Sequence, residues 1–162
     1  MEINVVFYRV DQPDAMWLDK LIAWWTAPFS CKFNSAWRYG YSHVEIYIRE
    51  RGKMYSVSPR DNKVRTIKVN RLSNHWKASK AIQVTDAKEF RDSCNKYLGA
   101  KYDYLGILGF VVPAIKDSSS RYFCSELCIT VLQDIGQLPK SIDASRYSPN
   151  DLASLLGVLD YE

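Results

Sequence analysis

The sequence predicts a single globular domain of the α+β class, in which β-strands and α-helices are mixed along the chain. Its 162 residues, of which 47% are hydrophobic and 25% charged, are sufficient for one hydrophobic core. Several segments alternate apolar and polar residues as β-strands do. Other segments begin and end with residues that favour helix termini, so both kinds of element are expected.

The first half of the chain is predicted to contain four strands and one helix. A strand is expected at residues 3–10, a helix from Asp14 to about Thr26, and a polar and aromatic loop at residues 27–41. Turn-forming residues then separate three apolar-rich segments. We therefore expect consecutive strands at residues 42–49, 53–58 and 63–69, joined by turns at Arg51-Gly52 and at residues 59–62.

The second half is predicted to contain one short strand, near residues 80–84, and three helices. Glycines follow the first two helices, and Ser148-Pro149 opens the third, because serine is a preferred N-cap and proline fits the first turn. The expected helices cover residues 86 to about 98, 124 to about 135, and 149 onwards. The intervening loop has an apolar part, Leu105–Val112, which we interpret as a flap over a site or a partner contact.

Cys124 lies where a serine-rich loop becomes an apolar-periodic helix. A thiol at a helix N-terminus faces unpaired backbone N–H groups and the positive end of the helix dipole, and both favour the thiolate. The thiolate is the nucleophilic form of cysteine. The other cysteines lack this setting: Cys94 and Cys128 fall on apolar helix faces, and Cys31 lies in the polar loop. Cys124 is therefore the candidate nucleophile.

A histidine and a glutamate share one face of the strand predicted at residues 42–49. The period of two places His43 and Glu45 on one side of this strand and its aliphatic residues on the other. A cysteine, a histidine and a carboxylate that orients the histidine are the parts of a thiol acyl-transfer site. The residues therefore predict that His43 acts as the base for Cys124.

Four motifs occur in an order that resembles a known family. They are His43-Val-Glu45, Gly99-Ala-Lys-Tyr-Asp-Tyr104, Phe123-Cys-Ser-Glu-Leu127 and Ser148-Pro-Asn-Asp-Leu152. This order resembles the circularly permuted branch of the NlpC-like, papain-related cysteine peptidases, in which the histidine strand precedes the cysteine helix. The segment from Tyr55 to Arg65 is similar to that of the small members encoded by tailed bacteriophages. The resemblance covers about residues 3–156.

The resemblance implies a permuted papain-like (NlpC-like) fold, with a central antiparallel sheet and the cysteine helix packed on it. It implies that Cys124 is the nucleophile, His43 the base, and that a third group orients the imidazole. We take Glu45 as that group, because its charge would stabilise an imidazolium, and Ser56 on the next strand is the alternative. The candidate substrate-binding residues are Tyr102, which resembles a tyrosine lining the family's substrate site, and Ser125, Glu126 and Ser56.

The function predicted from these residues is hydrolysis of an amide bond in peptidoglycan peptides, by a phage-borne enzyme using a Cys-His-Glu thioester mechanism. The alternatives are a non-catalytic structural component of a virion, and a lipid acyltransferase or lipase. No cofactor or metal is expected, because no Cys and His residues stand at a zinc-binding spacing. No secretory signal or membrane span is visible, so we expect the protein in a phage virion or in the host cytoplasm before release.

Basic residues are concentrated between residues 60 and 80, where seven Lys or Arg accompany one acid, whereas the whole chain has a net charge of +4. A basic face attracts anionic polymers, so peptidoglycan or another envelope polymer is the expected partner, with virion proteins as further partners. Nucleic acid is not expected, because no binding motif accompanies the charge. The alternative is a solvated sheet edge, on which basic residues prevent strand pairing.

The tryptophan-rich helix near the start of the chain allows two interpretations. Its large apolar residues fall on one helical face: Trp17, Leu18, Leu21, Trp24 and Trp25. Such a face suits a bilayer interface, which would imply membrane contact, or packing against a sheet. We predict packing, with Trp17, Leu21 and Trp24 buried, because a helix that precedes the histidine strand is expected to cover the sheet in this fold.

Overall fold

The computed structural model describes residues 1–104 and 121–159, which form a mixed α+β structure around one sheet. The strands are β1 (Glu2–Arg9), β2 (Tyr41–Ile48), β3 (Lys53–Ser58), β4 (Lys63–Lys68), β5 (Trp76–Ala78), β6 (Ile82–Gln83), β7 (Lys101–Tyr102) and β8 (Arg121–Tyr122). Their order is β5-β1-β2-β3-β4-β7-β8, and β6 also pairs with β1. Every described pair is antiparallel except β7–β8, which is parallel.

Five α-helices accompany the sheet in the described part of the chain. They are α1 (Trp17–Thr26), α2 (Phe29–Phe33), α3 (Ala87–Tyr97), α4 (Cys124–Asp134) and α5 (Pro149–Leu155). The side chain of Asp86 caps α3 by accepting hydrogen bonds from two backbone N–H groups, and Ser148 caps α5 in the same way from one. No helix within residues 1–104 and 121–159 is both long and apolar enough to cross a membrane.

The hydrophobic core lies between the aliphatic side of the sheet and α4. The core side of β2 consists of Val44, Ile46 and Ile48, and α4 contributes Leu127, Cys128, Val131 and Leu132, all buried. Because side chains alternate along a strand, the neighbouring β2 residues His43 and Glu45 belong to the other side of the sheet. The predicted division of this strand into an aliphatic and a polar face is therefore confirmed.

The predicted α+β class is confirmed, and the predicted strands β1 to β4 match within one or two residues. Some local predictions were incomplete. The loop expected at residues 27–41 contains α2 and a 3-10 helix, and the short strands β5, β7 and β8 were not predicted. Strand β5 is too short to show a period, and it forms because it pairs with Val6–Tyr8 of β1. Leu105–Val112, interpreted as a flap or partner contact, lies outside the described residues.

Helix α1 starts later than predicted, because Asp14 is not its cap. The helix begins at Trp17, and the N–H of Met16 donates to Asp19 Oδ2 at 3.1 Å. The stabilising carboxylate thus comes from the first turn of the helix itself, where it also faces the positive end of the dipole.

The orientation of α1 is the reverse of the one predicted. Ala23 is its buried residue, whereas Trp17 is 73% exposed and Leu21 is 45% exposed, and Trp24 is only partly buried. The predicted burial of this face is therefore wrong. The reason is that polar groups on the opposite side anchor the helix, so its apolar side points away from the sheet.

Two hydrogen-bonded anchors hold α1 in this orientation. Ser42 Oγ donates to Asp19 Oδ1 at 2.9 Å, which ties the first turn to β2. At the other end, Asn150 Nδ2 donates to Thr26 Oγ1 at 2.8 Å, while Asn150 Oδ1 accepts from the N–H of Tyr41. Asn150 is buried, so these bonds are protected from competing water.

Candidate active site

His43 lies beyond the end of the β2–β3 ladder in the sheet. The β2–β3 ladder pairs Ile46, Tyr47 and Ile48 with β3 and does not extend to His43. Beyond this last pair, the Ser56 hydroxyl donates to the Val44 carbonyl at 2.9 Å in place of a backbone bond. His43 is therefore paired with Tyr8 of β1 and has no ladder partner on the β3 side.

Glu45 is the acceptor that orients the imidazole. His43 Nε2 donates to Glu45 Oε1 at 3.1 Å, and the carboxylate is only 3% exposed. Since Nε2 is engaged, Nδ1 is the nitrogen left for a second partner. The Cys124 side chain lies close enough to the ring to be the main influence that raises the pKa of His43. The structure therefore brings together the three residues that the sequence singled out.

Cys124 occupies the first position of α4. Phe123 is the N-cap in an extended conformation, and its N–H donates to Glu126 Oε2 at 3.3 Å. The first N–H groups of a helix have no partner within the helix, so those of Cys124 and Ser125 are suited to hold an oxyanion. Cys124 is 4% exposed. The side chain is therefore almost fully enclosed and belongs to the core cluster.

Arg65 extends the site in a way that the sequence did not predict. Its Nη2 donates to Glu45 Oε1 at 3.0 Å, and its Nε donates to Asp61 Oδ2 at 2.7 Å. One oxygen of Glu45 therefore serves both His43 and Arg65. A signal was available, because the predicted turn at residues 59–62 sets Arg65 opposite Ser56 in the β3–β4 hairpin.

The charges in this network shift the titration of two residues. Burial opposes a charged His43, but the Cys124 sulfur and then Glu45 outweigh it and raise the pKa of His43 to about 10. Burial also opposes ionisation of Glu45, yet His43 and then Arg65 hold the pKa of its carboxyl below the ordinary value. The arrangement therefore favours an imidazolium beside the sulfur, held by an ionised carboxylate.

A groove of about 380 Å³ lies on the polar side of the sheet beside His43. Its apolar walls include Leu18 and Ile22 of α1, Ile67 of β4 and Trp76 of β5. The ring of Trp76 meets that of His43 edge to face, with centroids 6.2 Å apart. Helix α1 and the unpredicted strand β5 thus supply the apolar side of a groove that leads to the histidine.

The groove also carries a basic, polar side. Arg60, Asp61 and Arg65 line it, together with Glu45. Among the described residues, Glu45 Oε2 and Arg65 Nη1 are buried without a hydrogen-bond partner. Buried polar atoms usually have partners, so these two are exceptions within the charged cluster beside the groove. Part of the predicted basic segment therefore lines the groove instead of a solvated edge.

The four predicted substrate-binding residues take different places. Tyr102 lines the groove, and the charge of Cys124 adds to burial in raising the pKa of its phenol. The Ser125 hydroxyl is buried and donates to the Tyr147 carbonyl at 2.6 Å. Ser56 is buried, and its hydroxyl donates to the Val44 carbonyl. Glu126 is buried at the helix start. Of these four, Tyr102 is the one that lines the groove.

The geometry also decides between the two candidates for the orienting group. Glu45 contacts the His43 ring, whereas the Ser56 hydroxyl donates to the carbonyls of Val44 and Val57. The orienting contact in this structure is therefore made by Glu45.

Within the described parts of the chain, no group of three or more His, Cys, Asp or Glu side chains could hold a metal ion.

The other cysteines differ from Cys124 in their surroundings. Cys94 and Cys128 are buried in the core, and burial raises the pKa of the Cys94 thiol to about 12 and that of Cys128 well above its ordinary value. Cys31 is buried in α2, not in a polar loop as predicted. Cys124 is thus the cysteine with a cationic partner.

No family model matches this chain, and neither the curated proteins nor the solved structures gave a match.

We expect Cys124 to react first with a limiting amount of iodoacetamide at mildly acidic pH. The reason is that Cys124 lies beside His43, whose pKa is raised to about 10, whereas burial raises the pKa of the Cys94 and Cys128 thiols and so suppresses their reactive form. Peptide mapping by mass spectrometry measures the order of labelling. His43→Ala should slow labelling of Cys124. Labelling of Cys124 no faster than that of Cys31 would show that the sulfur is either unactivated or out of reach.

Proposed function

We propose that the protein is a cysteine hydrolase that cleaves acyl bonds through a thioester on Cys124. The observation that carries this proposal is the grouping of Cys124, His43 and Glu45, in which the imidazole bonds to a buried carboxylate and lies beside a helix-terminal thiol. A nucleophile, its base and an orienting group in contact are the requirements of thiol acyl transfer. The permuted NlpC-like fold remains part of the proposal, supported by the order of the motifs and by α4 packing on an antiparallel-rich sheet.

The chemistry follows from these three residues. His43 takes the proton of Cys124, and the thiolate attacks the carbonyl carbon, so that a C–S bond forms. The backbone N–H groups at the start of α4 hold the oxyanion. The bond to the leaving oxygen or nitrogen then breaks, and the imidazolium gives that atom its proton. Water, deprotonated by His43, attacks the thioester, releases the acid and restores the thiol.

The groove favours a lipid-like acyl substrate over an extended peptide. An acyl chain needs apolar walls, which contribute about 0.8 kcal/mol for each CH₂ enclosed, and a polar headgroup needs donors. The apolar walls are formed by Leu18, Ile22 and Trp76. The donors for a headgroup are Arg60 and Arg65. The exposed face of α1 at the groove also fits a lipid substrate better than a polar polymer. We therefore propose an ester of an acidic lipid as the substrate class.

Hydrolysis of peptidoglycan amides is the second candidate, and one observation favours it. Two arginines, Arg60 and Arg65, line the polar side of the groove, and an extended, anionic peptide could pair with them. Under this candidate the protein is a phage-borne wall hydrolase that is located in the virion and contacts virion proteins. A non-catalytic virion component is the third reading, and the intact contact between Cys124 and His43 is the observation against it.

One paired assay tests the three candidates. The protein is incubated separately with vesicles containing phosphatidylglycerol and with purified bacterial sacculi, and Cys124→Ala serves as the control. We expect free fatty acid from the vesicles and no new amino groups from the sacculi. Amino-group release from sacculi beside inert vesicles would replace the lipid substrate by peptidoglycan. Inactivity on both, with Cys124 unreactive in the labelling experiment, would favour the non-catalytic component.

A further inference from the structure

The outer side of α1 and α2 carries a concentration of exposed apolar side chains. We define the aromatic surface as Trp17, Leu18, Leu21, Trp25, Phe29 and Phe33. Trp17, Phe29 and Phe33 are each more than 70% exposed, at 73%, 77% and 79%. Single exposed apolar residues are common, but a cluster of this size on a soluble domain marks an interaction site.

The two helices form one continuous surface. The rings of Trp24 and Trp25 meet edge to face with centroids 5.7 Å apart, and so do those of Phe29 and Phe33 at 5.1 Å. Lys32 of α2 links that helix to the tryptophan pair, because its Nζ lies 5.3 Å from the Trp24 ring and 5.5 Å from the Trp25 ring. An ammonium held over indole rings in this way combines apolar area with a positive charge.

The exposure of this surface results from the anchoring of α1 and not from loose packing. The bonds from Ser42 to Asp19 and from Asn150 to Thr26 hold the opposite side of the helix against β2 and α5. Turning the apolar side inward would break both bonds and leave the buried Ser42 hydroxyl and Asn150 amide without these partners, which costs free energy. Helix α1 therefore exposes its apolar side to water, and a binding partner would cover that side.

The chemistry of the surface fits one occupant best. Residues 16–40 contain three basic residues, Lys20, Lys32 and Arg38, and one acid, Asp19, which is engaged by Ser42 and by the N–H of Met16. Tryptophan and phenylalanine beside lysine and arginine are typical of helices that lie at the interface of an anionic bilayer. We propose that the aromatic surface docks on the surface of an anionic phospholipid bilayer.

The length and position of α1 agree with lying along the interface. A ten-residue helix is about 15 Å long, roughly half the thickness of the hydrocarbon core, so α1 would lie in the headgroup region with its apolar side down. Leu18 belongs to the aromatic surface and also lines the groove beside His43. Docking would therefore place the mouth of the groove at the membrane. The docking proposal itself depends on this surface and not on the thiol chemistry.

A vesicle-binding experiment on the full chain carrying Cys124→Ala tests the proposal without interference from catalysis. Co-sedimentation and tryptophan emission are measured with vesicles of phosphatidylcholine alone and of phosphatidylcholine mixed with phosphatidylglycerol. We expect binding to the mixed vesicles with a blue-shifted emission, and weaker binding at high salt, because the basic residues act through screened charges. Trp17→Ser combined with Phe29→Ser and Phe33→Ser should weaken binding by at least about tenfold.

Matched controls keep the result interpretable. Leu98→Ser and Leu155→Ser remove side chains that are 46% and 43% exposed outside the aromatic surface, and binding should be unchanged. The three serine substitutions replace exposed side chains, so thermal unfolding should be unaltered. Absence of binding to mixed vesicles overturns the proposal. So does a stable dimer without lipid that the triple variant abolishes, or quenching data that show Trp17 shielded in the lipid-free monomer.

Discussion

Replacing Cys124 by alanine should abolish acyl transfer while the fold persists. The nucleophile cannot be replaced by its neighbours, so turnover of an activated ester such as p-nitrophenyl butyrate should fall by at least about 1,000-fold. In the unaltered protein, attack by the sulfur releases p-nitrophenolate and leaves a butyryl thioester. Intact-mass spectrometry after rapid acid quenching should detect this added acyl group, and the alanine variant should lack it.

Cys128→Ala is the matched control, because Cys128 lies one turn later in α4 and is fully buried. Its loss leaves a small cavity and should lower the thermal midpoint slightly, but the butyryl adduct should still form on Cys124. An adduct that persists in Cys124→Ala, or that vanishes equally in both variants, would remove the assignment of Cys124 as nucleophile.

Glu45→Gln should have the second-largest effect, on both activity and stability. A glutamine can present its amide N–H to the His43 ring and so favour the wrong tautomer, and we expect turnover to fall by at least about 100-fold. The change also removes the charge of one carboxylate from the partly buried Arg65 guanidinium, which keeps its bond to Asp61, and this should cost about 3 kcal/mol of unfolding free energy. Urea unfolding and ester turnover measure the two effects.

The pH dependence of this variant has a definite sign. The Glu45 carboxyl has a lowered pKa, so its stabilising contribution is present above the ordinary carboxyl value and is lost as pH falls through the folded value. The unaltered protein should therefore lose stability in acid more steeply than Glu45→Gln. Glu45 also contributes to the raised pKa of His43, so the alkaline limit of the imidazolium, near pH 10, should move to lower pH in the variant.

Asp61→Asn is the control for these effects, because it removes the other carboxylate of Arg65 without contacting His43. Asp61 is 45% exposed in its side chain, so its pair with Arg65 is screened, and activity should change by only a few-fold. If Asp61→Asn and Glu45→Gln behave alike, the carboxylate serves to hold Arg65 and does not orient the imidazole.

Local patterns in the sequence were sufficient to find the three residues of the candidate site. Alternation along β2 identified His43 and Glu45 as neighbours on one face, and the transition from loop to helix placed Cys124 at a helix start. Both features arise from interactions between residues a few positions apart, and periodicity reports such interactions directly. The core stripe of α4 was predictable for the same reason, and the structure confirms its burial.

The surroundings of the reacting groups could not be predicted in the same way. Arg65 and Trp76 reach His43 and Glu45 from β4 and β5, and their positions depend on the register of strands that pair across the sheet. A register is set by the sum of many contacts, so no single local pattern reports it. Strand β5 in particular forms because β1 offers it an edge, and its own three residues contain no strand period.

The spacing of apolar residues predicts that α1 has one apolar face. The direction in which that face points depends on the tertiary contacts of the helix. Periodicity defines an arc of side chains but carries no information about what lies opposite. The hydrogen bonds of Asp19 with Ser42 and of Thr26 with Asn150 join α1 to residues distant in the chain. A buried hydrogen bond left unmade costs about as much as an aromatic side chain gains by burial, so a few polar contacts reversed the predicted orientation.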